Sequence, residues 1–96
     1  MSKEKILEIL DHRKKELKQF HVESLYLFGS VARGESTADS DIDLLVDFDE
    51  PVGIFNFLRL KYFLEEVLDR SIDLVTRDAL KDRLRERILK ETIRAA

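Results

Sequence analysis

Cysteine is absent from this sequence. That rules out disulfides and thiolate metal sites, so stability must come from packing, as is usual for a protein of a reducing cytoplasm, the expected location. Long apolar runs are missing too: nothing approaches the ~20 residues that span a bilayer, so no membrane role is expected. Residues 1–5 lead into a charged amphipathic stretch rather than an apolar one, and no secretory leader is expected. There is no excess of positive charge, since 17 Lys and Arg face 20 Asp and Glu for a formal net charge of -3. A general nucleic-acid binder is usually basic, so direct nucleic-acid binding is not expected. With one proline and three glycines, the chain has little punctuation, no linker and no low-complexity tract.

What is present is 96 residues, 44% of them hydrophobic, enough for one compact core and one domain over residues 1–96. Ile6, Ile9, Leu10, Leu17 and Phe20 recur at helical spacing and predict an amphipathic helix from Lys3 to Phe20. Residues 24–28 form a short apolar and aromatic strand that stops at Gly29, and residues 29–34 turn into a short helix. After a polar loop over residues 35–40, residues 41–48 alternate with strand period. Ile54, Phe57, Leu58, Leu64, Val67 and Leu68 mark a long helix, and residues 71–75 a third strand. Asp78 can cap a last helix carrying Leu80, Leu84 and Ile88. The expected fold is a small mixed α/β (α+β) domain, with helices flanking a sheet of three or slightly more strands.

Asp41 and Asp43 stand two apart on one strand, so both carboxylates project the same way. Like charges side by side on an apolar strand repel, and a divalent cation relieves that repulsion. Oxygen ligands with no neighbouring histidine or cysteine favour magnesium. A lone D-x-D is common on solvent-facing strands, but Asp73 is a third carboxylate inside another apolar strand. If the two strands are neighbours, the three aspartates converge as two-metal phosphoryl transfer requires. Gly29 and Ser30 follow a strand and open a helix, where unpaired amides can receive phosphate oxygens. Ser30 adds a hydroxyl and Arg33 a guanidinium one turn on.

Gly29-Ser30, ten residues, then Asp41-Ile42-Asp43 is similar to the G-S-x10-D-x-D signature of the DNA polymerase β-like nucleotidyltransferase superfamily. The fuller string, G-S-V-A-R-G ending in S-D-I-D-L-L-V, resembles its minimal nucleotidyltransferase branch. The resemblance implies the polymerase β-like palm fold, with Ser30 on the triphosphate, Asp41 and Asp43 as ligands of two Mg2+ ions, and Asp73 as third ligand and helper in deprotonating the acceptor. It places Gly29, Arg33 and Ser40 close to the nucleotide. It further implies attack of an acceptor hydroxyl on the α-phosphate of ATP with loss of pyrophosphate. Larger relatives carry an acceptor-binding domain beyond the third strand, so the acceptor platform is expected on another chain. In the minimal branch that partner is a HEPN ribonuclease toxin, held in a hetero-oligomer and modified with AMP on a tyrosine, so that the nucleotidyltransferase acts as antitoxin. Two alternatives stand beside this: a docking module that neutralises the partner without catalysis, and transfer to a small molecule such as an aminoglycoside.

Other features invite blander readings. Arg83, Arg87, Lys90 and Arg94 would share one face of the last helix, most simply a solvated, partly paired surface. His12 and His21 lack ligand spacing, Tyr26 and Tyr62 read as core or rim aromatics, and Asp47, Asp49 and Glu50 as a solvated acidic loop.

Overall fold

The computed structural model describes residues 2–35, 37, 39–80 and 82–96, and for residues 82–85 the backbone alone. Ser36 and Ala38 of the expected loop therefore lie outside the described residues, as do the side chains of Leu84 and Arg83. The first amphipathic stretch folds as two helices, α1 (Lys3–Asp11) and α2 (Lys14–Gln19), where the apolar pattern predicts one. Ser2 caps α1 by accepting from the Lys5 amide. The break at His12 and Arg13 lets Leu17 enter the core, and Phe20 meets Phe63 with ring centroids 5.2 Å apart.

Strand β1 (Val22–Phe28) runs into the single turn α3 (Gly29–Ala32), and β2 (Ile42–Phe48) returns antiparallel to β1. Helix α4 (Ile54–Leu68) then crosses over and feeds β3 (Ile72–Val75), which lies parallel to β2. A 3-10 turn (Arg77–Ala79) precedes α5 (Asp82–Glu91), so Asp78 sits inside that turn and does not cap α5. A fourth strand not expected from the pattern, β4 (Ile93–Arg94), pairs antiparallel with β1, and the sheet order is β3-β2-β1-β4. Two residues are too few to show a period.

One face of the sheet is apolar. Leu25, Leu27, Ile42, Leu44, Val46, Ile72 and Leu74 pack there against Ile6, Leu10 and Leu17 of the first two helices and against Leu60, Leu64 and Leu68, which repeat every four residues along α4. Ile54, expected on that stripe, is 63% exposed. The alternate residues of β1, β2 and β3 face the other way, and they carry the chemistry. No helix among the described residues is long and apolar enough to cross a membrane.

Candidate functional site

Asp43 lies on the central part of the sheet, opposite Phe28 of β1 on one side and in register with Asp73 of β3 on the other. The two carboxylates therefore stand abreast on one face, one strand spacing apart. Asp41, immediately before β2, is exposed like Asp73, whereas Asp43 is half-buried. Burial, helped by the charge of Asp73, a hydrogen bond with it and the charge of Asp41, pushes the Asp43 carboxyl up to about 6; Arg33 pulls weakly the other way. Asp43 and Asp73, abreast in register, supply oxygen donors of the kind a hard divalent cation takes.

Gly29 explains why the strand must end as it does. Its φ is +75°, and a Cβ there would come within 2.0 Å of an Asp43 carboxylate oxygen. Only glycine allows this backbone shape and lets the carboxylate lie against it. The turn that follows is four residues long with no side-chain cap, so its dipole is small, but the amides of its first residues have no partner within the helix. Ser30, half-buried, stands among them beside Asp43's strand.

Arg33 closes the turn one residue after α3 and is engaged by Glu35 at 3.1 Å and Glu91 at 3.2 Å, contacts that raise its pKa. Ser40 staples the loop before Asp41: its hydroxyl accepts from the Thr37 amide at 2.9 Å, and its carbonyl accepts from Arg70, two residues beyond α4. Arg70 also donates to the Thr37 carbonyl at 3.3 Å.

The same sheet face carries a second polar group that the sequence reading passed over. Asp47, on the strand as the alternation over residues 41–48 predicts, is not solvated: two pleats beyond Asp43, it accepts from Arg77 at 2.8 and 3.0 Å and from the Ser24 hydroxyl at 3.0 Å. The Arg77 guanidinium also lies 5.3 Å from the Tyr26 ring centroid, and both contacts, Asp47 first, raise its pKa. The signal was available in the spacing, because Asp47 continues the series 41, 43, 45, 47 and Arg77 stands four beyond Asp73. His21 is not isolated either: its Nδ1 lies 3.5 Å from Asp49 and 3.3 Å from Glu50. Among the described residues, this is the trio whose ligand atoms all come within 4.8 Å of one another; the three aspartates are spread more widely. Arg94 is in β4, off the last helix, and Arg87 lies 3.9 Å from Glu91, so the expected four-cation helix face does not form as such.

Comparison with known proteins agrees with this geometry. Residues 3–95 match the family model described as nucleotidyltransferase domain. The protein adenylyltransferase MntA of Thermococcus cleftensis is 41% identical over 91 residues, covering 94% of this chain and 92% of that one. A solved minimal nucleotidyltransferase superposes with a TM-score of 0.83 at 38% identity, over 97% of this chain and 95% of the other. At the level of fold alone, the likeness extends to a tri-AMPylated Shewanella oneidensis HEPN toxin in complex with MNT antitoxin, with a TM-score of 0.59 and 18% identity over 91% of this chain and 71% of the other. With the carboxylate strand, the glycine turn and nearly the whole chain matched, the protein belongs to the nucleotidyltransferase domain family and, within it, to the minimal nucleotidyltransferases.

Proposed function

We propose that this chain, acting as one domain, is a magnesium-dependent adenylyltransferase that moves AMP from ATP to a tyrosine hydroxyl of a cognate HEPN ribonuclease toxin, and so serves as the antitoxin of the pair. The observation that carries the reading is the Asp43 carboxylate, set between Asp73 and the Cβ-free face of Gly29. Asp41, Asp43 and Asp73 would hold the metal, which when bound neutralises the aspartates and polarises phosphate oxygens. The free amides of Gly29 and Ser30, with the Ser30 hydroxyl, receive the triphosphate beside it. Arg33 reaches the same phosphates once released from Glu35 and Glu91, while Ser40 holds the loop that presents Asp41.

The acceptor oxygen bonds to the α-phosphorus, the bond from that phosphorus to the bridging oxygen breaks, and pyrophosphate leaves. The hydroxyl proton passes to Asp73, the exposed carboxylate in register with Asp43. The relative from Thermococcus cleftensis supports a protein acceptor by its name, and the complex from Shewanella oneidensis supports the HEPN partner. Incubation of the chain with ATP, Mg2+ and its HEPN toxin should leave an AMP-sized mass increment on a toxin tyrosine and remove ribonuclease activity. Asp41→Ala with Asp43→Ala should abolish both effects. Neutralisation that survives the double substitution without any mass increment would sink the reading in favour of docking alone.

A further inference from the structure

A groove of about 840 Å³ opens where β2 ends and α4 begins. Asp47 and Arg77 form the wall that it shares with the aspartate face; Val52, Ile54 and Phe57 supply apolar lining, and Asp49, Glu50 and Asp78 the rim. Ile54 is 63% exposed and its neighbour Phe55 76% exposed, two large apolar side chains at the start of α4 with no place in the core. We infer that this groove docks a basic and apolar segment of the acceptor polypeptide, a few residues away in sequence from the hydroxyl that is modified. The inference rests on the proposed protein acceptor and adds to it the chemistry by which that acceptor is chosen.

Charge selects the occupant. The Arg77 cation is occupied by Asp47 at 2.8 Å and so does not offset the rim, where three exposed carboxylates, Asp49, Glu50 and Asp78, outnumber the one imidazole beside them, His21 at 3.3 Å from Glu50. Such a rim repels nucleic acid and nucleotide phosphates and attracts lysine and arginine. Distance gives the register. Asp47 stands four residues along β2 from Asp43, about 13 Å at strand rise. An extended acceptor with its hydroxyl beside Asp43 and Asp73 therefore lays residues four to six positions away over the groove. There a basic side chain meets Glu50 or Asp78, and an aliphatic or aromatic one covers Ile54.

The test uses fluorescent peptides, each with one tyrosine and, four to six residues from it on either side, an Arg-Leu, Glu-Leu or Gly-Ser pair. Binding to the intact chain is read by fluorescence anisotropy without nucleotide. The Arg-Leu peptides should bind at least tenfold more tightly than the Glu-Leu peptides. Glu50→Lys with Asp78→Lys should reverse that order, and Ile54→Ser should weaken the Arg-Leu and Glu-Leu peptides alike. Equal binding of all three sets, or a preference untouched by the charge reversals, overturns the inference. So does occupation of the groove by a second copy of the chain, read as a dimer that Ile54→Ser dissolves, or by an RNA oligonucleotide that competes with the peptides. Adding Mg2+ and ATP separates the two readings. Charge-selective binding with no AMP on the bound tyrosine supports the groove and counts against the reaction, whereas AMP transfer without charge preference does the reverse.

Discussion

At Asp43, burial and two neighbouring carboxylates act in the same direction, and the consequence is a measurable dependence of stability on pH. Its folded pKa, about 6, lies above the ordinary 3.8, so the folded state holds the proton more tightly than the unfolded one. The stability linked to that proton is complete below about pH 4 and is lost as pH rises through 6. Two units correspond to roughly 3 kcal/mol at most, and solvent at a half-buried group reduces this to about 2 kcal/mol. Without divalent metal, Asp43→Asn should therefore be more stable than the parent by about 2 kcal/mol at pH 8, with the difference vanishing below pH 4, as read from urea denaturation across that range. A difference independent of pH would show that Asp43 is not strained by its neighbours. The place of Asp43 on a strand was legible in the sequence from the alternation around it, whereas Asp41, expected on the same strand, stands just before β2 begins. That Asp73 shares their site was conditional on β3 being next to β2, which no local pattern states.

Among the elements, most periodic segments fold as the sequence predicts, whereas the break between α1 and α2 and the strand β4 are not marked by any period. Helix α4 and strand β2 announce themselves by period, whereas β4 is two residues long and is a strand only because β1 offers it an edge. The same edge ties down the last residues: the Leu25 amide donates to the Ala96 carbonyl at 3.1 Å, and Ala95, itself buried, donates to the Leu25 carbonyl at 2.7 Å. Removing residues 93–96 should cost about 2 kcal/mol from lost burial and pairing, a fall in Tm on the order of 10 °C. In hydrogen exchange the Leu25 amide should lose its protection. Retained protection would mean that β4 does not hold the edge. Asp78 has good capping chemistry, but a 3-10 turn takes it before α5 begins. The break between α1 and α2 likewise has no glycine or proline to mark it; packing against the sheet decides it.

Over the whole molecule, a Cα radius of gyration of 12.5 Å is what a compact chain of 96 residues adopts, so the charges crowd onto a small surface. The two signs nearly cancel overall, yet Asp43 has the charges of Asp41 and Asp73 near it, against a weak opposing effect of Arg33. That local imbalance predicts metal-linked stability: at pH 8, Mg2+ at ten times its dissociation constant should add about 1.4 kcal/mol, roughly 6 to 11 °C in Tm. Asp41→Ala with Asp43→Ala should remove the shift, and an undiminished shift in that variant would place the metal elsewhere. By itself the sequence determined the order of the longer elements, the placing of Asp43 on a strand, the glycine at the end of β1 and the family signature, because these depend on residues near one another in the chain. Only the tertiary structure decided that Asp73 stands beside Asp43, that Asp47 and Arg77 form an ion pair on the same face, and that His21 meets Asp49 and Glu50. Each of those contacts joins residues about 28 to 30 apart in the chain, and the crossover and register that bring them together are set by the packing of the whole core.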